Sequence, residues 1–390
     1  MFGNLHVRAR SPRTPLTVAD WRARARRRVP DMVWAYVENG ADDERTLRDN
    51  EAEFGRWSLR QRVLAGVGSV DLSTQVAGER LDLPVILAPT GLAGAAHWHG
   101  DLGAARAAER CGTKLVLSSA STYSIEEVAA GTEQPHWFQL YPWQDRALIG
   151  SLMDRAHAAG YTALFVTVDV PVYGNRLQER RLGMAIPPTL SPGRLWSAAT
   201  RPAWSYRFLR HGRVSLVNLL PTGASGDVVR SVEIQSANLT ADMNWEDLAW
   251  IRRRWDGPLF VKGVLDPDDA ERMVDVGADG VVVSNHGGRQ LDGVPASLAA
   301  LPAVADRIGD RAEVLLDGGV RSGRDVIVAL ALGARACLVG RPLVYGLAAG
   351  GTDGVAQVLE VFGSELRRNL TLMGARSVRD LDRSSVVPRC

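Results

Sequence analysis

A histidine and an arginine three residues apart stand in the glycine-rich segment 284–293, whose sequence is SNHGGRQLDG. The run before it, Gly280–Val283, is short, β-branched and apolar, which is typical of a fully buried strand. His286 could act as a base and Arg289 as a cation toward one small molecule. Such a pair suits a substrate with an acidic end and a proton to lose, although a histidine among glycines is also common as a structural residue.

Short β-rich runs, each followed by a helical pattern, alternate along the chain from about residue 83. The predicted strands are 84–88, 114–117, 136–140, 163–168, 259–262, 280–283, 313–316 and 336–339. Alternation with helices predicts a parallel sheet, and eight units predict closure into a TIM (β/α)8 barrel of the α/β class.

The remaining segments are assigned around this barrel as parts of a single domain, 1–390. About ninety residues separate the fourth and fifth predicted strands, which is far more than one helix needs. We therefore expect N-terminal helices and a lead-in over 17–80, the barrel over 83–350, a long insertion or lid over 177–245, and a C-terminal helix over 351–380. Thr17 is a candidate helix cap, and a second helix is expected from Pro30 to Asn39.

Composition excludes several classes of function. Hydrophobic residues make up 46% and charged residues 23% of the chain, and the net charge of +2 gives no reason to expect a nucleic acid partner. The three cysteines are far apart and form no CxxC motif, which suits a reducing, cytoplasmic location. No apolar stretch approaches membrane-spanning length. His97 and His99 flank Trp98 in a metal-like pattern, but we expect surface residues there and no metal site.

The ends of the last two predicted strands carry glycines beside arginines. Asp317 is followed by two glycines and Arg321, and Gly340 is followed by Arg341. Barrels of this type commonly bind phosphate after strands seven and eight, where backbone amides and cations hold the oxygens. Tight turns would explain the glycines but not the arginines. A phosphorylated cofactor or substrate is therefore predicted.

These motifs resemble those of the FMN-dependent 2-hydroxy-acid dehydrogenase and oxidase family. The resemblance rests on SNHGGRQLDG, on Lys262 at the end of the preceding strand, and on DGGVRSG (317–323) and VGRP (339–342). It extends over about residues 16–375 and includes Tyr36, PTG (89–91), FQLY (138–141), TVD (167–169) and Arg176. Within the family the chain most resembles the (S)-mandelate dehydrogenases, through residues 89–92, 204–205, 210–212 and 244–246.

The resemblance implies a role for each of these residues. His286 would be the base, oriented by Asp169, and Arg289 would bind the substrate carboxylate with Arg176, Tyr36 and Tyr141. Lys262 would lie at the edge of the flavin of FMN that becomes negative on reduction. The other implied FMN contacts are Pro89, Thr90, Gly91, Ser118, Gln139, Thr167, Ser284, Asp317, Gly319, Arg321, Gly340 and Arg341.

Two small residues bear on the substrate and the electron acceptor. Ala120 stands where glycolate-type oxidases tend to carry a bulky aromatic residue, which favours a larger, mandelate-like L-2-hydroxy acid. Gly91 stands where several efficient oxidases carry alanine, which favours a dehydrogenase that passes electrons to a quinone-type acceptor. The alternatives are an oxidase that uses O2 and produces H2O2, or an L-lactate dehydrogenase. The sequence leaves open whether the substrate loses a hydride or first forms a carbanion.

Residues 194–213 within the insertion hold five arginines, four aromatic residues and no acidic residue. This composition suits the surface of an anionic membrane, so peripheral contact with its inner face is one interpretation. A mobile lid over the site or contact with a neighbouring subunit are the others, and the resemblance implies a homo-oligomer, a tetramer. Two more distant alternatives are a flavin-dependent isomerase acting on a phosphorylated substrate and a non-catalytic binding protein.

Overall fold

The computed structural model describes residues 14–183, 191–220 and 242–389. Its first elements are α1 (Val18–Arg26), α2 (Asp31–Glu38), α3 (Arg45–Ala52), β1 (Trp57–Leu59), β2 (Thr74–Val76) and β3 (Glu79–Leu81). The side chain of Thr17 accepts a hydrogen bond from Asp20 N, and the Asp20 carboxylate accepts one from Thr17 N. This capping box starts α1 at the predicted position.

Eight parallel strands form the predicted barrel. They are β4 (Val85–Leu87), β5 (Val116–Ser118), β6 (Trp137–Leu140), β7 (Leu164–Thr167), β8 (Leu259–Val264), β9 (Gly280–Val283), β10 (Glu313–Leu316) and β11 (Ala336–Val339). Each strand pairs with the next along the chain from β5 to β11, and β11 pairs with β4. A parallel bridge between Leu87 and Leu115 joins β4 to the chain just before β5, so the sheet closes on itself. The predicted TIM-barrel fold is therefore confirmed.

Helices surround the sheet and form the insertion after β7. They are α4 (Ala93–Ala96), α5 (Gly100–Arg110), α6 (Ile125–Ala130), α7 (Arg146–Ala158), α8 (Leu177–Arg181), α9 (Pro192–Ala199), α10 (Pro202–His211), α11 (Trp245–Arg254), α12 (Pro267–Asp275), α13 (Ser297–Ile308), α14 (Gly323–Ala331) and α15 (Arg341–Met373). Helix α15 bends at Gly351, whose φ is +63°. The last strand, β12 (Val386–Pro388), pairs with β1.

Aromatic rings fill the barrel interior. Phe165 lies between Trp137 and Phe260, with ring centroids 5.5 and 4.8 Å away, and all three side chains are fully buried. The hairpin of β2 and β3 contributes Val76 and Leu81 to the same cluster. The hairpin therefore covers the amino-terminal end of the barrel and leaves the carboxyl ends of the strands to form a site.

An ion pair fastens this hairpin to the barrel. Lys114 Nζ lies 2.6 Å from Glu79 Oε2 and donates to Pro135 O, also at 2.6 Å. Glu79 Oε1 accepts from Trp137 Nε1 at 2.8 Å and from Thr162 Oγ1 at 2.6 Å. Burial raises the pKa of Glu79, but Lys114 and these donors outweigh burial and leave it below its usual value. Both oxygens of the carboxylate thus have partners.

The described part of the insertion rests on the barrel through one face of α9 and α10. Trp204 Nε1 donates to Ala95 O at 2.9 Å, and the Trp204 ring stacks on Phe208. Trp204 and Phe208 are four residues apart, share one face of α10 and are partly buried, so they are the less accessible rings of this segment. The apolar side chains that are exposed are instead Leu195, Trp196, Tyr206 and Leu209.

The expectation that His97 and His99 are surface residues was wrong for His97, which is 8% exposed. Its Nδ1 accepts from His99 N at 3.2 Å, and its Nε2 lies 3.1 Å from Arg207 Nη1 of α10. Burial lowers the pKa of His97 to about 3, so the ring is neutral at physiological pH. This pair of histidines therefore belongs to the seam between the barrel and the insertion.

Candidate active site

His286 and Asp169 form a hydrogen-bonded pair at the carboxyl end of the barrel. Asp169 follows β7 and His286 follows β9, and His286 Nδ1 lies 2.9 Å from Asp169 Oδ1. A carboxylate can only accept here, so Nδ1 carries the proton and Nε2 is left as a free acceptor. Burial lowers the pKa of His286 despite the nearby Asp169. The geometry therefore provides a neutral imidazole that is able to take up a proton.

The loop that carries His286 is fixed by polar residues that the sequence analysis did not single out. The side chains of Asn285 and Asn50 exchange two hydrogen bonds at 2.8 and 2.9 Å. Gln290 Nε2 donates to Asp169 O and Val172 O, both at 2.9 Å, which joins the β7 and β9 loops. His286 itself has a φ of +58°, a conformation that is strained for a side chain of this type.

Asp292 completes this attachment of the loop to the N-terminal helices. Its carboxylate accepts from the backbone N of Arg45 and of Thr46, the first two residues of α3. A carboxylate at a helix N-terminus satisfies donors that have no partner within the helix. The SNHGGRQLDG segment therefore contains both the candidate reactive residues, His286 and Arg289, and the polar residues that fix the loop. Residue type alone indicated only the first kind.

Arg289 and Arg176 lie close together beside the base. Arg289 Nη1 donates to Tyr36 O at 2.6 Å and to Asn39 O at 3.0 Å. Arg176 makes longer contacts, from Nε to Arg289 O and from Nη2 to Gln290 Oε1, both at 3.4 Å. Burial and the neighbouring Arg289 lower the pKa of Arg176. The structure thus brings the two predicted carboxylate-binding cations into one cluster.

Glu179 accompanies these arginines and was missed by the sequence analysis. Its Oε1 accepts from Arg289 Nη2 at 2.9 Å, and its Oε2 lies 3.9 Å from Arg176 Nη1. The residue is 7% exposed. The signal in the sequence was weak, because a glutamate in an arginine-rich stretch is usually a solvated residue.

The two predicted substrate tyrosines lie near the same groups. Tyr36 donates its hydroxyl to Gly91 O at 3.0 Å, and its ring lies 5.0 Å from the Arg289 guanidinium carbon. Burial raises the pKa of Tyr36 and of Tyr141, and nearby charges on Asp169 and Arg176 act on Tyr141 as well. Both phenols therefore keep their protons and remain able to donate hydrogen bonds.

Lys262, at the end of β8, is buried and paired. Its Nζ donates to Ser284 Oγ at 2.9 Å and lies 2.9 Å from Asp317 Oδ2. Burial lowers its pKa, but Asp317 and Asp169 outweigh burial and raise it overall. The lysine is therefore charged, at a depth where a charge is costly without such partners.

Several buried polar atoms around Lys262 have no partner within the protein. In the described chain they include Gln139 Nε2, Thr167 Oγ1 and Asp317 Oδ1. Ser118 Oγ donates to the other side of the Gln139 amide, at Oε1, which leaves Nε2 as the free end. Buried polar groups are nearly always hydrogen-bonded, so this cluster of exceptions indicates a missing polar ligand. Donors and acceptors of this kind fit the edge of a flavin ring.

The phosphate-type residues lie at the neighbouring strand ends. Gly340 and Arg341 begin α15, whose amino terminus favours an anion. Among the described residues, Arg341 donates only to backbone oxygens, those of Glu38, Gly287 and Asn39, and burial and Arg321 lower its pKa to about 10. A cation without a carboxylate partner suits a phosphate. Gly319 lacks space for a side chain, because a Cβ would lie 2.0 Å from Asn50 O.

Arg321 is arranged differently from Arg341. Its Nη2 donates to Glu51 Oε1 at 2.8 Å, and its Nη1 donates to Val320 O. To bind a phosphate, the Arg321 guanidinium would have to contact Glu51 and the phosphate together or release Glu51. Phosphate binding by Arg321 therefore stays a prediction.

The chain after β4 lies against Tyr36 and Ala120. A Cβ placed on Gly91 would be 3.2 Å from the Tyr36 hydroxyl and 3.4 Å from Ala120 Cβ. Thr90 Oγ1 donates back to Ala88 O at 3.2 Å. Pro89, Thr90 and Gly91 are half-buried, whereas Ala120 is buried. Through Tyr36, this loop therefore lies next to the arginine cluster.

Among the described residues, no group of three or more His, Cys, Asp or Glu side chains is arranged to hold a metal ion. Within the same residues, no helix combines the length and the apolar character that crossing a membrane requires.

Comparisons with known proteins agree with this geometry. The model of a family described as FMN-dependent dehydrogenase matches residues 25–388. An L-lactate dehydrogenase of Caulobacter vibrioides is 46% identical over 375 residues, which cover 96% of this chain and 98% of that protein. An L-lactate dehydrogenase of Stenotrophomonas maltophilia is 44% identical over 374 residues, 94% of this chain and 97% of that protein.

Solved structures give the same result. The crystal structure of the monotopic membrane protein (S)-mandelate dehydrogenase is 37% identical, with a TM-score of 0.93, and the match covers 97% of this chain and all of that one. A mandelate oxidase variant with (S)-mandelic acid is 34% identical, with a TM-score of 0.81, and the match covers 96% and 99%. The expected family, its FMN cofactor and its oxidoreductase chemistry are confirmed. The chain belongs to the FMN-dependent dehydrogenase family and is a 2-hydroxy-acid-oxidising flavoenzyme.

Proposed function

We propose that this enzyme oxidises an L-2-hydroxy acid to the 2-oxo acid, with His286 as the base. The observation that carries the proposal is the His286–Asp169 pair lying beside two partly buried arginines. FMN, when bound, supplies the acceptor for the two electrons that leave the substrate. His286 Nε2 holds the proton that the substrate loses, and Asp169 stabilises the charged ring that results.

The arginines and tyrosines are proposed to bind and orient the substrate. Three of the five N–H groups of Arg289 donate to Tyr36 O, Asn39 O and Glu179, which leaves two for a carboxylate. Arg176 supplies a second cation. Tyr141 donates from its protonated hydroxyl, and Tyr36 does the same when its proton turns from Gly91 O to the substrate. A carboxylate held in this way fixes the substrate carbon relative to the base, which is an orientational contribution to catalysis.

The unpartnered polar atoms support the FMN contacts that the sequence implies. Lys262, Ser118, Gln139, Thr167 and Ser284 would hold the polar edge of the ring. The loop of Pro89, Thr90 and Gly91 would line its face. The ribityl phosphate would be held by Asp317, Gly319, Arg321, Gly340 and Arg341. In this arrangement the charge on Lys262 would stabilise negative charge on the ring.

For the substrate side chain we propose a preference for aromatic or long groups over glycolate. Ala120 is small and lies against Gly91 and Tyr36, where a larger residue would reduce the space. L-Lactate is the second candidate, because relatives named L-lactate dehydrogenase share up to 46% of their residues with this chain. Stopped-flow reduction of the flavin by glycolate, L-lactate and (S)-mandelate separates the two. Glycolate as the best substrate would contradict the argument from Ala120.

For the acceptor we propose a quinone rather than O2. The proposal rests on Gly91, and it is tested by reoxidation of the reduced enzyme with a soluble quinone and with dissolved oxygen. Slow reaction with oxygen and fast reaction with quinone are expected. Fast reaction with oxygen would make the enzyme an oxidase that produces H2O2.

We also propose peripheral membrane contact through residues 194–213, with the enzyme on the cytoplasmic side. The outer face of α9 and α10 exposes Leu195, Trp196, Tyr206 and Leu209, of which Leu209 is 85% exposed. Arg210 on this helix donates to Tyr206 and has no carboxylate partner in the described structure. Sedimentation with anionic vesicles tests the contact. Leu209→Asp should weaken it, whereas Leu372→Asp, at an exposed leucine on α15, should not.

A further inference from the structure

Glu179 occupies an unusual position for a carboxylate in this sequence. It lies on the short helix α8, where the next residue, Arg180, is exposed to solvent. A glutamate there could have remained solvated or paired with an exposed arginine. Instead its side chain is only 10% exposed and pairs with the two partly buried arginines, Arg289 at 2.9 Å and Arg176 at 3.9 Å. Burying a carboxylate is costly unless it is paired, so the two arginines are the reason for its position.

The pairing changes the charge of the cluster. Arg176 and Arg289 carry two positive charges, and Glu179 carries one negative charge, so the cluster has a net charge of +1. A substrate carboxylate brings one further negative charge and would make the cluster neutral. Without Glu179 the site would hold two uncompensated cations and would bind small anions indiscriminately.

The pairing also fixes the orientation of Arg289. Its Nη1 is held by two backbone oxygens on α2 and the residue that caps it, and its Nη2 is held by Glu179. Because both terminal nitrogens of the Arg289 guanidinium are held, the guanidinium plane has little freedom to rotate. The remaining N–H groups are therefore presented in one direction, which a carboxylate needs for a two-point interaction.

From this geometry we propose that Glu179 is a positioning residue for the reaction: it serves as counter-ion to Arg176 and Arg289 and holds Arg289 in the orientation that binds the substrate carboxylate. The inference rests on the proposed function, in which these arginines bind that carboxylate. Its two parts, charge and position, can be separated by substitution.

Glu179→Gln removes the charge and keeps an oxygen that can accept from Arg289. The oxidised holoenzyme is titrated with benzoylformate or pyruvate, 2-oxo acids that it cannot oxidise, and binding is followed by the change in the flavin spectrum. The dissociation constant should fall roughly ten-fold, because the anion then faces two uncompensated cations. A dissociation constant that stays within two-fold, or that rises, would overturn the role as counter-ion.

Glu179→Asp keeps the charge and withdraws the carboxylate by one methylene group. Flavin reduction at saturating substrate should slow about ten-fold, because Arg289 loses its second support, while binding of the 2-oxo acid stays within about three-fold. Reduction at the wild-type rate would overturn the positioning role. This variant also keeps the proposal open to refutation if Glu179→Gln does not fold.

Glu126→Gln is the matched control, since Glu126 also pairs with an arginine, Arg155, through contacts of 2.8 and 2.9 Å. It should leave both the dissociation constant and the reduction rate unchanged, whatever its effect on thermal stability. Arg289→Lys tests the underlying function. If that variant binds the 2-oxo acid as tightly as the wild type, the carboxylate site itself is misplaced, whereas weaker binding together with silent Glu179 variants would refute the role of Glu179 alone.

Discussion

The two lysines of this chain lie at opposite ends of the barrel and are buried to nearly the same degree, 5% exposed for Lys114 and 4% for Lys262. Each pairs with a carboxylate, at 2.6 Å to Glu79 and at 2.9 Å to Asp317. Around Lys114 both carboxylate oxygens have partners. Around Lys262, Asp317 Oδ1 and the nearby Thr167 Oγ1 have none within the part of the chain that the structure describes.

This difference separates a structural ion pair from a binding site. The Glu79 carboxylate is saturated, and in the described structure the single atom near Lys114 without a partner is His136 Nε2, so this ion pair contributes to the fold. An unsaturated network at equal depth is unfavourable unless something else completes it. Burial and pairing by themselves therefore do not identify function, and single unpartnered atoms occur elsewhere in the described chain, whereas several of them around one ion pair indicate a ligand.

The largest difference between the two ends of the barrel is expected when one histidine is replaced at each end. His286→Ala should keep FMN bound but slow flavin reduction by substrate by ~10²–10⁴-fold, because a positioned base typically contributes that much. His136→Ala, at the start of β6, removes a ring that is 3% exposed at the other end of the barrel. It should lower the thermal midpoint and leave the reduction rate of the folded holoenzyme within about two-fold. Stopped-flow measurement of both variants checks this, and wild-type reduction by His286→Ala would refute the assignment.

The second-largest difference is expected when each of the two lysines is replaced. Lys262→Met should slow flavin reduction by roughly 10²-fold, because a preorganised cation is lost from the site. Lys114→Met should leave that rate unchanged. Both variants should be less stable, because each leaves a buried carboxylate without its partner. Thermal unfolding and stopped-flow reduction are measured on the same preparations, and slow reduction in Lys114→Met would remove the distinction between the two ends.

The smallest effect concerns pH. Burial holds the pKa of His286 below its ordinary value of 6.5, and the reaction needs the neutral ring. The value of kcat/KM should therefore stay constant as the pH falls through neutrality and decline only below pH 6.5. In Asp169→Asn the charged ring loses its partner, so the decline should move to still lower pH and the plateau should drop. A wild-type profile that already declines at pH 7 would contradict the predicted direction.

The fold was predictable because its signal is repeated. Eight short apolar runs, each followed by a helical pattern, predict the strands to within a few residues, and their order implies the barrel. The chemical groups at the strand ends, such as His286 and Lys262, were predictable because they follow those runs directly. The family resemblance then indicated which substrate and cofactor such groups serve.

Residues that act through others were not predictable. Glu179 and Asn50 are polar residues in unremarkable sequence contexts, and each finds its partner more than a hundred positions away. The partial burial of Trp204 and Phe208 was not predictable for a related reason. Composition indicates that a segment is aromatic and basic, but only the helix phase and the surface beneath decide which rings are covered.

The contact between Asn50 and Asn285 spans 235 positions of the chain. At a synthesis rate of about 5–20 residues per second, α3 leaves the ribosome roughly ten to fifty seconds before the loop that will anchor it. The Thr46–Asp292 contact has a similar delay. The N-terminal helices must therefore wait, with their polar groups unpaired, until most of the barrel has been made. The loop that carries His286 therefore cannot be anchored to α3 until nearly three quarters of the chain has been synthesised.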